Sequence, residues 1–213
     1  MDGSPQIGKA GSFTLRAPAD VATEPDNELF LKYGSHCNRV LFVEYGFVLP
    51  HSETEQTPYE VGVDDMVEAM FQEKGDLGLW AKSMLETEGY WQDYTLHVSG
   101  PSYRLVTALR LYAMIISNAP PATGSPTAFL APWTATITGQ SDCVSDDNES
   151  QWVQLLVNKI CHPIIKRAEN GVKKSLDENE GTELSECIRV LWEEEQYVAL
   201  CICERVRNGD ELA

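Results

Sequence analysis

Residues 28–50 read Glu28-Leu29-Phe30-Leu31-Lys32-Tyr33-Gly34-Ser35-His36-Cys37-Asn38-Arg39-Val40-Leu41-Phe42-Val43-Glu44-Tyr45-Gly46-Phe47-Val48-Leu49-Pro50. Residues 28–32 form a short apolar run that leans to strand and ends at Tyr33-Gly34. Ser35 is placed to cap a short helix from Cys37 to Glu44, because its hydroxyl can accept from an orphan amide of the first turn. Gly46 is placed to close that helix in a left-handed conformation. Phe47-Val48-Leu49 then leaves extended, and Pro50 stops it. On periodicity alone this is a strand–helix–strand corner whose tyrosines pack.

The literal residues add a second reading. Glu28-Leu29-Phe30, Tyr33-Gly34, Asn38, Leu41 and Tyr45-Gly46-Phe47 resemble the end of a SET domain of the Rubisco large-subunit lysine methyltransferase class. Asp26-Asn27 departs from the Gly-Glu that usually opens this motif. The resemblance implies an α+β chain, with a small β-rich SET-domain part over 12–50 followed by a mainly α-helical domain over 58–207. It implies transfer of a methyl group from S-adenosylmethionine to a lysine side chain. Tyr33 aligns with the tyrosine whose hydroxyl stands at the methyl-transfer site. Tyr45 and Phe47 align with positions lining the narrow lysine channel. The helical substrate-binding domain of the same family is resembled by residues 104–111, Arg-Leu-Val-Thr-Ala-Leu-Arg-Leu.

The cofactor half of the pattern is missing from the sequence. SET domains hold S-adenosylmethionine with a Gly-x-Gly segment and an Asn-His-Ser-type segment ahead of the tyrosine. This chain has no Asn-His dipeptide, and its first strand begins where the family is already past that segment. The expectation is a C-terminal portion of the enzyme that neither binds the cofactor nor turns over alone. The alternative is a non-catalytic interaction module built on the helical domain.

The chemistry asked of the aromatic residues is specific. A lysine ammonium has a pKa of about 10.4 and must lose its proton before it attacks a methyl group. A narrow apolar channel favours the neutral amine by desolvation, and a hydroxyl at its end orients the lone pair. The bland counterpart is that Tyr33, Tyr45 and Phe47 are core aromatics of a domain that has lost its activity.

Composition narrows the partners. The 213 residues are 43% hydrophobic, enough for a real core, and carry 33 Asp plus Glu against 16 Lys plus Arg, a net charge of −17. That charge opposes phosphate binding and so nucleic acid. It suits a protein substrate with a basic, lysine-bearing segment. Six cysteines occur without a Cys-x-x-Cys pair. Cys201 and Cys203 lack the further cysteine of a zinc element, and both read as helix residues, the first of them buried. The four histidines share no acid at ligand spacing, so no metal site is expected. Met1 to Gly11 is polar, unlike a secretory leader, and no apolar run is long enough for a membrane span. The expected location is intracellular, in nucleus or cytoplasm, with free thiols.

Along the chain, residues 1–11 read as a disordered tail and Ser12–Ala17 as a strand. Residues 51–57 are a polar linker. Helices are expected over 64–74, 76–86, 103–117, 151–170 and 182–207, and a strand at 94–98. The 103–117 helix is apolar nearly all round and should be central, with Arg104 and Arg110 at its margins. Residues 120–132 read as a Pro-rich loop and 171–181 as a charged connection. Pro163 should kink its helix or split it after Cys161. Asp64-Asp65 and Asp146-Asp147 read as helix-start charges, and Glu193-Glu194-Glu195 as a solvated face.

Overall fold

The computed structural model describes residues 6–7, 13–14, 36–49, 59–118, 126–178 and 182–212. Compact units divide between Gly34 and Ser35. In the first, β1 (Gln6–Ile7) pairs antiparallel with β2 (Phe13–Thr14), in the register Gln6 to Thr14 and Ile7 to Phe13. The expected tail over 1–11 therefore carries a strand of its own. The 28–32 strand, Tyr33, Ser35 and the 51–57 linker lie outside the described residues.

The second unit holds α1 (Asn38–Tyr45), β3 (Glu60–Gly62), α2 (Asp64–Gln72), α3 (Asp76–Thr87), β4 (Thr95–His97), β5 (Gly100–Pro101), α4 (Tyr103–Ser117), α5 (Pro126–Ile137), α6 (Asp146–Leu155), a π-helical turn (Leu156–Cys161), α7 (His162–Glu178) and α8 (Glu183–Asn208). The chain is α+β, and helix dominates. β3, β4 and β5 form one small antiparallel sheet in that order. β3 is too short for a period-two pattern to announce it.

The core is built around α4. Its Leu105, Val106, Ala108, Leu109 and Leu111 have no exposed surface, as an all-round apolar helix requires. Ser102 starts it by accepting from the Leu105 amide at 3.4 Å. α2 and α6 begin where acids favour a helix N-terminus, at Asp64-Asp65 and at Asp146-Asp147. Phe71 of α2 stands edge-on to Tyr112 of α4, with ring centroids 5.2 Å apart.

Several expectations need correction. Arg110 is not marginal: it is 8% exposed. Its guanidinium is 2.8 Å from the Glu149 carboxylate on α6 and donates to the Asp142 carbonyl at 2.9 Å. A buried cation persists only when paired in this way. α5 occupies part of the expected 120–132 loop, despite Pro132 within it. Its Trp133 is 1% exposed and donates to the Thr107 carbonyl at 3.0 Å, so tertiary burial outweighs the proline. α7 runs on through the first part of the expected 171–181 connection to Glu178. Pro163 does not split the helix, which runs on from Asp146 to Glu178, but its winding changes just ahead of the proline. A proline denies its ring position to the carbonyl four residues back, and the backbone answers with a wider π turn over Leu156–Cys161. Neither Cys201 nor Cys203 is fully buried, and it is the second that packs on the core, against Cys161.

α7 and α8 pack closely because Gly171 lets them. A Cβ at Gly171 would sit 2.4 Å from the Trp192 ring. Alanine there gains up to about 1 kcal/mol of helix propensity. It must also displace a rigid indole, and overpacking of this kind costs about 1–3 kcal/mol or more. We expect Gly171→Ala to lower unfolding stability by about 1 kcal/mol net in a urea titration read by circular dichroism. An unchanged or raised midpoint would mean that the helices part freely at this point.

Candidate functional site

The Tyr-Gly-Phe corner is set by backbone first. α1 starts from Cys37, extended at φ −67° and ψ 156°, without a side-chain cap, one residue later than the expected Cys37 start. It ends at Gly46, whose φ of 79° and ψ of 15° are left-handed and whose amide returns to the Phe42 carbonyl. Glycine is the residue for this cap, since other side chains are strained there. The chain then reverses, so Tyr45 and Phe47 stand side by side. Their ring centroids are 6.3 Å apart at 46°, and both rings are about half exposed. Tyr33, the third residue expected here, lies outside the described residues.

Asn38 holds this corner from beneath. It is 1% exposed. Its Nδ2 donates to the Leu49 carbonyl at 2.8 Å, and the Leu49 amide donates to its Oδ1 at 2.7 Å. One carboxamide thus imitates a strand partner for Leu49. Nδ2 also donates to Oε1 of Glu194 on α8. Burial pushes the Glu194 carboxyl up to about 7, while the Asn38 hydrogen bond opposes that rise.

Glu194 was not legible as more than a solvated face, and that reading is corrected. Within the Glu193-Glu194-Glu195 run only Glu194 reaches Asn38. Glu193 takes Arg189 at 2.5 Å, and Glu195 takes Arg167 at 2.9 Å. The available signal was its spacing, three after Leu191 and four before Val198, which puts it on the inward side of the helix. Above Glu194 lies a cavity of about 190 Å³ bounded by Arg39, Glu60, Gly62, Leu191, Trp192 and Glu195.

These residues do not fit S-adenosylmethionine. The cavity, about 190 Å³, is smaller than the roughly 300–1,000 Å³ usual for ligand sites. Among the described residues no group of three His, Cys, Asp or Glu side chains is placed to hold a metal, and no helix is long and apolar enough to cross a membrane.

Comparison with known proteins bears directly on this corner. No family model matches the chain, and no solved structure does. Curated relatives do. Ribosomal lysine N-methyltransferase 2 of Saccharomyces cerevisiae is 33% identical over 102 residues, 48% of this chain and 20% of that protein. Ribosomal lysine N-methyltransferase set11 of Schizosaccharomyces pombe is 24% identical over 188 residues, 88% of this chain and 44% of that protein. SET domain-containing protein 4 of Homo sapiens is 30% identical over 188 residues, 85% of this chain and 38% of that protein. The relatives are lysine methyltransferases and SET-domain proteins. The chain spans less than half the length of each. Alignments covering 85% or more of it necessarily take in much of the helical unit as well as the corner.

Glu194 makes stability depend on pH. Its folded-state value, about 7, lies above the ordinary 4.5. Between those values the folded state holds more protons than the unfolded, so stability falls as pH rises and levels off above 7. Glu194→Gln keeps an acceptor for Asn38 and removes the charge. We expect its melting temperature to match wild type below pH 4.5 and to exceed it at pH 8. Parallel pH curves for the two proteins would show that Glu194 does not titrate against folding.

Proposed function

We propose that this chain is the C-terminal part of a SET-domain protein-lysine methyltransferase: the end of the SET catalytic segment joined to a helical substrate-binding domain of the Rubisco-methyltransferase type. Two facts taken together carry the reading. Glu28-Leu29-Phe30, Tyr33-Gly34, Asn38, Leu41 and Tyr45-Gly46-Phe47 match the motif, and the similarity to lysine methyltransferases runs on through the helices. The Asn38-held corner supports it, since it sets two aromatic rings side by side as channel walls require.

In this reading Tyr33 is the catalytic residue, and Tyr45 and Phe47 flank the alkyl stem of the substrate lysine. The rings exclude water, which favours the neutral amine, and their faces tolerate a cation at the mouth. The Tyr33 hydroxyl aligns the amine lone pair. S-adenosylmethionine, when bound, supplies the methyl group. The sequence lacks the Asn-His-Ser-type segment that holds it in the family, and in this reading the chain alone is inactive. The substrate is a protein, and the net charge of −17 favours one with a basic, lysine-bearing surface. A second reading, an interaction module without catalysis, draws on one fact: the large core belongs to the helices.

Two measurements test this. Isothermal titration of the chain with S-adenosylmethionine should give no binding, and micromolar binding would place the cofactor site within these residues after all. In a form that transfers radiolabelled methyl groups to lysine, Tyr33→Phe should lower turnover about a hundredfold, as loss of one oriented hydrogen bond worth about 3 kcal/mol does. Tyr45→Phe should cost less. Wild-type turnover in Tyr33→Phe would reduce that tyrosine to packing.

A further inference from the structure

The Asn38 carboxamide has no slack. Two of its hydrogen-bonding positions are used on the Leu49 backbone and another on Glu194, and with 1% exposure no water stands by to replace them. Leu49 lies two residues beyond Phe47, in a segment without regular secondary structure. Its backbone bonds to Asn38 therefore fix where that segment leaves the corner. The contact joins residues 156 apart in sequence, the first described helix to the last.

We propose that Glu194 is a positioning residue for the Tyr45–Phe47 ring pair: from α8 it takes the second amide hydrogen of Asn38, and so locks the carboxamide that clamps Leu49. The functional meaning rests on reading those rings as channel walls; the hydrogen-bond chain does not. Asn has two amide hydrogens on one nitrogen. With both engaged, the carboxamide cannot turn without breaking two bonds at once and burying the loss. An ionised acceptor binds its donor about twice as strongly as a neutral one. The lock accordingly tightens as Glu194 loses its proton, in the range about 7 to which burial has moved it. The charged and titratable groups around it are Arg39 on α1, Tyr59 and Glu60 at β3, and Glu195 and Tyr197 on α8. Tyr59 stands edge-on to Tyr197 at 5.6 Å and is itself shifted upward by burial and by Glu194. The same glutamate thus acts on Tyr59 through its charge and on the Tyr-Gly-Phe corner through Asn38.

The test is nuclear magnetic resonance on the isotope-labelled full chain, with no methyltransferase assay involved, so its outcome is separate from the fate of the functional reading. In wild type the Leu49 amide should be protected from exchange. The Asn38 side-chain amide, the Leu49 amide and the Tyr45 and Phe47 ring resonances should titrate together near pH 7. Glu194→Ala should reduce Leu49 protection at least tenfold. Glu194→Gln should restore protection to within a fewfold of wild type while abolishing the shared titration. A merely structural glutamate would not move the ring resonances with a common midpoint. The proposal is overturned if Leu49 is equally protected in Glu194→Ala, or if the ring resonances titrate unchanged in Glu194→Gln. Should Glu194→Ala fail to fold, the titration of wild type against Glu194→Gln decides alone, and absence of a common midpoint in wild type overturns the proposal.

Discussion

A helix that is apolar on every side must be covered on every side, and α4 imposes that demand on the rest of the helical unit. Eleven of its residues are buried. α2 answers with Phe71, α5 with Trp133, and α6 with Trp152 and Glu149. Arg110, the one buried charge among the described residues, is the exception that confirms the constraint. It stays because Glu149 meets it, and because Trp152 donates to the same carboxylate at 2.5 Å. Remove such a partner and an uncompensated charge is left in a medium that solvates it poorly. The acidic run that opens α6 therefore serves both the helix terminus and the core.

The corner at Tyr45-Gly46-Phe47 inherits its precision from the same packing. α8 lies along α7, held at Gly171 and Trp192, and carries Glu194 to Asn38. Two exposed rings at the end of a short helix would have little to fix them by themselves. Their placement is borrowed from a helix pair far along the chain. This is a common economy in proteins: rigid elements position, and loops present.

Much of this was readable in advance and some was not. The helices with clear 3.6-residue periods, 103–117 above all, appear where the pattern puts them, and the left-handed Gly46 cap was evident from Tyr-Gly-Phe alone. α5 was hidden by proline and threonine, whose local preferences lose to the burial of Trp133. β3 was hidden by its three-residue length. At the site, Tyr45 and Phe47 come together as the motif suggests. Asn38 was part of that motif without a role, because a side chain that clamps backbone leaves no periodic trace. Glu194 sat among three glutamates that composition cannot tell apart; only the helical phase of its neighbours separates it from Glu193.

That phase has a further consequence in the π turn before Pro163. Asn148, Trp152, Leu156, Ile160, Ile164 and Ala168 are all buried, a strict repeat of four over two helices and the turn between them. A pure α-helix advances about 40° beyond a full circle in every four residues. Six such positions would spiral by about 200°, and the last would face water. The π turn rotates less per residue and winds that excess partly back. The proline thus works as a vernier: by widening one turn it keeps a single inward seam continuous from α6 to α7, where an unbroken rod of the same sequence would have turned its second half away from the core.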